Sequence, residues 1–248
     1  MCVRDSASRF NRWIAGSEGM LVRPKLRRLD MSQPTSIADA LKARFKLEFD
    51  RYPESSRVRL HRAISWLRRA EEELVDPDAR FLFLWIAFNA AYAKELGHAE
   101  TERDRLAAFF AMLIAVDQRG TIQQLLFKQF SGHIRLLIDN RYVYEPFWRA
   151  LREHDASNRW EEKFSGSKKA AMAAVMKGET GTVLSIVFDR LYVLRNQLVH
   201  GGATWNSRLN RAQVAEGAGI LLSIVPALIE IMIDHPEIDF GDVLYPVV

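Results

Sequence analysis

The chain has 248 residues, enough for one large domain with a sizeable core, and its 48% hydrophobic and 27% charged content is ordinary for a globular protein. The single cysteine, Cys2, excludes a disulfide framework and a cysteine-based metal site, and it favours a reducing compartment. Residues 1–30 hold seven basic and three acidic side chains, which accounts for the whole net charge of +4. The rest of the chain is neutral, so any nucleic acid would have to bind to a local patch.

Residues 1–34 lack helical periodicity and carry scattered Gly, Ser, Pro and Arg, which predicts a mobile basic tail. Met31 opens a more ordinary start, so an upstream mis-called start codon is one interpretation, and an Arg-rich organelle-targeting peptide is the alternative. No run reaches the roughly 18 apolar residues that span a bilayer, and no apolar secretory signal stands at the N-terminus. We therefore expect a cytoplasmic protein without a membrane segment.

From Thr35 to Val248 the pattern predicts one domain made of helix after helix. Apolar residues at helical spacing, caps and breakers place these helices at about 57–74, 77–95, 101–117, 120–138, 143–154, 181–200 and 209–234. The more polar stretch 156–180 is expected to be an insertion with a short helix. Pro226 should kink the last helix. No strand pattern appears, so the predicted fold is all-α, an antiparallel helical bundle with additional peripheral helices.

The segment 184–202, LSIVFDRLYVLRNQLVHGG, is the most informative. Its apolar residues at spacings of 3 and 4 predict one seam facing the core: Leu184, Val187, Leu191, Leu194 and Leu198. The opposite face would present polar groups among apolar ones: Asp189, Tyr192, Val193, Asn196, Val199 and His200. Such a mixed outward face suggests a second contact surface, such as a dimer partner. Gly201-Gly202 should end the helix.

RNQLVH, residues 195–200, resembles the Arg–polar–x–x–x–His motif of HEPN domains, late in a long helix of an antiparallel bundle. FLFLWIAFNAAYAKE, residues 81–95, resembles the early aromatic helix of a HEPN subgroup associated with defence and abortive infection; Asn89 stands where that subgroup more often has an acid. The resemblance spans roughly residues 55–235. The bare spacing is weak evidence, since Arg149–His154 also matches it, but that copy has Ala150 at the polar position and lacks the Gly-Gly end.

The resemblance implies a metal-independent endoribonuclease without a cofactor, acting as a toxin or defence effector. Arg195, Asn196 and His200 would be catalytic, and Arg190 and Asn89 would bind substrate. Histidine, with an ordinary pKa near about 6.5, can take or give a proton at neutral pH, and arginine can hold phosphate oxygens. The RNA 2′-OH would attack the adjacent phosphorus and leave 2′,3′-cyclic phosphate ends. The expected partners are RNA, a second copy bound through the face of helix 181–200, and an antitoxin or a nucleotidyltransferase.

Arg195 and His200 are five residues apart, which is about 140° around an ideal helix. On one regular helix their side chains would therefore not point at the same small chemical group. A deviating helix end or a second subunit would be needed. The alternatives are a HEPN-like module that binds RNA, nucleotide or a partner without cutting, and a helical DNA-binding regulator, against which the neutral body argues. His200 would then simply suit the dipole at a helix C-terminus, and Arg195 would cover the core with its stem.

Overall fold

The computed structural model describes residues 36–93, 101–206 and 211–245, all of them in one compact unit, Thr35–Val248. Within these ranges the chain forms ten α-helices and no strand, so the predicted all-α fold is confirmed. The predicted basic tail lies outside the described residues. The helices are α1 (Ile37–Leu47), α2 (Glu54–Glu72), α3 (Pro77–Tyr92), α4 (Glu102–Val116), α5 (Thr121–Gln124), α6 (Ser131–Asp139), α7 (Glu145–Arg152), α8 (Arg159–Lys177), α9 (Thr180–Val199) and α10 (Arg211–Asp234).

The centre of the bundle is the hairpin of α2 and α3, with α10 packed against both. Asp76 caps α3, because its carboxylate accepts hydrogen bonds from the backbone N–H groups of Asp78 at 2.9 Å and Ala79 at 3.3 Å. Pro77 occupies the first turn, where its missing N–H has no partner to lose. Ile86 on one face of α3 is 36% exposed, whereas four aromatic side chains spaced 4, 3 and 4 along the opposite face are buried: Phe81, Trp85, Phe88 and Tyr92.

The last helix, α10, is the second central element and continues through Pro226 to Asp234. By length and composition it could cross a membrane, yet 72% of its most apolar window is buried inside the protein, as in a core helix. Gly217 lets it approach its neighbours closely. A Cβ there would lie 3.0 Å from the Phe81 ring and 3.1 Å from a Leu191 methyl, so only glycine fits this crossing without a shift.

Two predicted elements differ from the structure. The helix expected at 120–138 is divided, because a π-helical turn at Leu125–Gln129 lies between α5 and α6. The helix in the stretch 156–180, expected to be short, is instead α8, which is 19 residues long and packs against α9. Its buried residues are Ala171 and Ala174, whose small side chains give little hydrophobic signal in the sequence.

Three side chains near the start of the domain tie it to the end of the chain. Arg44 on α1 forms ion pairs with Glu230, at 2.7 Å, and with Asp234. The buried Tyr52 hydroxyl donates to the Ile233 carbonyl at 2.8 Å.

The third is Arg59, which is buried on α2. Its guanidinium donates to carbonyls on two segments: Ala91 and Ala93 after α3, and Phe240, Gly241 and Asp242 after α10. Burial lowers its pKa, because the charged form loses solvation, while Asp239 and Asp242 act in the opposite sense. The five carbonyls satisfy the two terminal nitrogens of a buried charge that no carboxylate pairs within the described residues, so Arg59 holds the C-terminal segment against the hairpin.

Candidate active site

The predicted seam of α9 is confirmed. Leu184, Val187, Leu191 and Leu194 are buried, and Leu198 packs partly buried against the same core. The predicted outward face is only partly right, since Tyr192, Val199 and His200 are exposed but Val193 is 7% exposed. The reason is that α9 is covered on a second side by α8 and by the short 3₁₀ helix Arg141–Val143. A single-seam helix pattern does not anticipate burial on two sides.

The helix ends where Gly201-Gly202 predicts. The His200 N–H still donates to the Asn196 carbonyl at 3.0 Å, and Gly201 turns the chain with φ of 68°. The Ala203 N–H then donates back to the Gln197 carbonyl at 3.0 Å. A left-handed glycine at this point satisfies carbonyls that would otherwise lack donors, so the end of α9 is well defined and has His200 as its C-cap residue.

Arg195 and Asn196 contact each other near this exposed end of the helix, and His200 follows them at its terminus. The Arg195 guanidinium donates to the Asn196 amide oxygen at 2.9 Å, and its carbon lies 5.8 Å from the Tyr192 ring centroid. His200 is exposed and lies one turn beyond Asn196, on the same side of the helix. The Arg195 guanidinium is thus directed towards the side of the helix that carries Asn196.

The side chains at the end of α9 are arranged to attract an anion. Within the described ranges no carboxylate pairs with Arg195, whose one hydrogen bond goes to the neutral Asn196 amide. The His200 ring likewise has no hydrogen bond or ion pair to any residue that the structure describes. At the end of α9 the Arg195 guanidinium, held by the Asn196 amide, and the exposed His200 imidazole therefore both face solvent. Together they can bind a phosphate and move a proton.

A surface that the sequence did not reveal adjoins this end. Gln197 donates to the Tyr142 carbonyl at 2.7 Å, and the Trp148 indole donates to the same carbonyl at 2.7 Å. The Tyr142 ring is 42% exposed, and the Arg141 guanidinium lies 5.1 Å from its centroid. Only the three-dimensional fold brings these residues to α9, because the Tyr142–Gln197 bond joins positions 55 apart in the chain.

The two predicted substrate-binding residues are not at the end of α9. Asn89 is half-buried on α3 next to Phe88, whose ring lies 4.4 Å from that of Phe188, two turns before Asn196. Arg190 is almost fully buried and lies ten residues, about 15 Å of helix, before His200. Of the predicted set, Arg195 and Asn196 are in contact, His200 lies one turn beyond Asn196 at the helix end, and Asn89 and Arg190 lie elsewhere.

The competing copy of the motif has a different setting. Arg149 on α7 pairs with Glu145 at 2.9 Å, so its charge is neutralised locally. His154 follows the helix in a left-handed conformation with φ of 51°. In the parts of the chain that the structure describes, no group of three or more His, Cys, Asp or Glu side chains could hold a metal ion.

Comparisons with protein-family models, with curated proteins and with solved structures give no match to this chain.

Proposed function

We propose that the protein is a metal-independent endoribonuclease, with Arg195, Asn196 and His200 as its site and with two copies of the chain needed for the full reaction. The observation that carries the proposal is that Arg195, which no carboxylate pairs within the described residues, is held on Asn196 at 2.9 Å, with the exposed His200 one turn beyond Asn196. The resemblance of RNQLVH to the HEPN motif supports the same proposal.

In the proposed reaction the RNA 2′-OH loses its proton to one imidazole and attacks the adjacent phosphorus. The bond from phosphorus to the 5′ oxygen breaks, and that oxygen gains a proton from a second imidazole. Arg195 holds the phosphate oxygens while negative charge builds on them. Asn196 keeps the guanidinium oriented. The products are a 2′,3′-cyclic phosphate and a 5′-hydroxyl.

A single chain supplies one His200, whereas the reaction uses a base and an acid. The exposed side chains around the site include Val199, 51% exposed, and Tyr192, which follow the helical stripe of Asn196. A second copy packed on this stripe would cover the apolar groups and bring a second His200 close to the first. The dimer contact is therefore proposed for the C-terminal half of α9, because the rest of the helix is largely buried.

The adjoining surface would hold the RNA. Tyr142 and Trp148 can stack on bases of a single-stranded segment, and Arg141 can contact its backbone. The two hydrogen bonds to the Tyr142 carbonyl fix this surface relative to α9. Loop or bulge RNA is thus the expected substrate rather than an intact duplex.

The test uses labelled structured RNAs with EDTA present. Wild type should cut, and His200→Ala and Arg195→Ala should each be slower by about 10²-fold or more, as expected for a lost acid–base or charge-stabilising group. His61→Ala and Arg135→Ala are matched controls, because both residues are exposed and lie on α2 and α6. Melting temperatures separate a lost site from a lost fold. Loss of activity in EDTA, 3′-hydroxyl ends, or full activity of His200→Ala would refute the mechanism.

A partner-docking module is the second candidate function. Trp205 is 71% exposed just beyond the site, although its indole is held by Asp76 at 2.8 Å, and it stands near exposed Val199 in sequence. Exposed apolar side chains beside a basic group are typical of a contact with another protein. If wild type and both variants leave tRNA, mRNA and rRNA intact, this function replaces the enzyme.

A further inference from the structure

A cleft of about 750 Å³ lies where α3, α4, α7, α8 and α9 come together. Its walls are mainly apolar and aromatic, with Trp85, Tyr92, Leu106, Ile186 and Tyr192 among the lining residues. Its volume falls within the range of small-molecule sites in proteins. Asn196 and His200 do not line it, whereas Tyr192, whose ring lies 5.8 Å from the Arg195 guanidinium carbon, does, so the cleft adjoins the end of α9 but does not include it.

Arg190 lines this cleft as a buried cation, with only 4% of its surface exposed. Its guanidinium donates to the Ser167 hydroxyl at 3.2 Å and to the Val143 carbonyl at 3.5 Å, a long contact. The guanidinium carbon also lies 4.4 Å from the Tyr144 ring centroid. All these partners are neutral. Burial lowers the pKa of Arg190, because the charged form has lost its water.

The other charged side chains of the lining are already engaged. Arg103 pairs with Asp189, its Nε lying 3.2 Å from the carboxylate. Arg149 pairs with Glu145 at 2.9 Å. The third carboxylate of the lining, Glu102, accepts a hydrogen bond from the Tyr92 hydroxyl at 2.7 Å. Among the described lining residues, Arg190 is thus the one cation without a carboxylate within ion-pair distance.

We propose that this cleft binds a small organic anion, whose carboxylate or phosphate pairs with Arg190 and whose aromatic body lies against the walls near Tyr192 and Ile186. An anion would supply the ion pair that no carboxylate of the described residues makes with Arg190, and a buried guanidinium can bind either headgroup through two N–H groups. The apolar lining would exclude water from the remainder of the ligand. This proposal does not depend on ribonuclease activity.

The competing explanation is that Arg190 only holds α8 and α9 together through its contacts with Ser167 and Tyr144. In that case the cleft would bind apolar molecules without regard to their charge. A pair of probes with the same ring and different charge separates the two explanations, because only an anion site distinguishes them.

The experiment measures binding of 2-naphthyl phosphate, 2-naphthoate and neutral 2-naphthol to the full chain by isothermal titration calorimetry. At least one anion should bind at a single site and at least about tenfold more tightly than 2-naphthol. Arg190→Gln should remove this preference, whereas Arg135→Gln should keep it, because Arg135 is exposed on α6 and does not line the cleft. Equal affinities for anions and 2-naphthol, no binding up to millimolar concentration, or a preference that survives Arg190→Gln would overturn the proposal.

A second variant guards against misfolding of Arg190→Gln. Ile186→Trp places a larger ring in the cleft from a half-buried position and leaves Arg190 in place. It should weaken binding of the preferred anion by about tenfold or more while the melting temperature stays within a few degrees of wild type. Unchanged anion affinity in a folded Ile186→Trp variant would place the anion elsewhere and overturn the proposal.

Discussion

Replacing Gly217 with alanine tests whether α10 depends on close contact with α3 and α9. The new Cβ would lie 3.0 Å from the Phe81 ring and 3.1 Å from a Leu191 methyl, both in fully buried side chains that have little room to move. Overpacking of this kind costs about 1–3 kcal/mol. Alanine also gains about 1 kcal/mol over glycine in a helix interior. Gly217→Ala should therefore lower the free energy of unfolding by about 0–2 kcal/mol.

Gly219→Ala is the matched control on the same helix. Gly219 is exposed, and a Cβ there meets nothing within 4 Å, so this variant gains the helix preference without a clash. It should be stabilised by about 1 kcal/mol, which corresponds to a melting temperature roughly 2–4 °C higher in a domain of this size.

The assay compares both variants with wild type by urea denaturation and by thermal melting. The difference between the two variants isolates the packing contribution and should be about 1–3 kcal/mol. If Gly217→Ala were stabilised as much as Gly219→Ala, the close crossing at Gly217 would not constrain the bundle, and the packing argument would be wrong.

Two further predictions concern stability. Arg59→Met should lower the free energy of unfolding by about 3 kcal/mol or more, because it leaves five carbonyls without their donor. It should also expose residues 238–245 to proteolysis. Arg62→Met is the control and should have little effect, because it loses only an exposed hydrogen bond to the Tyr245 carbonyl. Asp76→Ala should cost about 1 kcal/mol at pH 7 through loss of the α3 cap. Burial is the largest influence on the Asp76 pKa and raises it, but hydrogen bonds from Trp205, Ala79 and Asp78 and the charge of Arg211 together lower it below its ordinary value of 3.8. The difference in free energy of unfolding between wild type and Asp76→Ala should therefore be complete above about pH 4 and vanish as the pH falls through the lowered pKa. Urea titrations at several pH values would measure it. A difference that persisted at lower pH would contradict the capping role of the Asp76 carboxylate.

Much of the fold could be predicted because its signals are local. The cap at Asp76, the first-turn Pro77 and the stop at Gly201 each act through backbone groups within a few residues, so the sequence alone places them. The 3-and-4 spacing of the α9 seam likewise depends on one helix only.

The parts that the sequence does not predict depend on how helices meet. The length of α8 is hidden because Ala171 and Ala174 bury little apolar area, yet their small size admits α9 closely. Val193 is wrongly predicted on the outside because a one-seam pattern cannot reveal a helix covered on two sides. The cleft is invisible in the sequence for the same reason, since Tyr144 and Arg190 approach only in the folded chain.

The candidate site was predictable only in part. Arg195, Asn196 and His200 stand close together in the chain, so a sequence motif is enough to group them. The contact of Arg195 with Asn196 depends on the conformation of the long arginine side chain, which the angular positions of residues on a helix do not predict. The surface around Tyr142 depends on the long-range bond to Gln197, which no local pattern reveals.

The ties made by Arg44, Tyr52 and Arg59 have a consequence for synthesis on the ribosome. Each joins the first three dozen residues of the domain to partners more than 180 positions later. During translation α1 and α2 emerge long before α10, and their final partners are still unmade. The domain therefore closes only after residues up to Asp242 have emerged, and a message cut short before residue 230 would yield a product that cannot complete its core. If the end of α9 cuts RNA, this order of events delays assembly of the nuclease until α10 and the segment after it have been made.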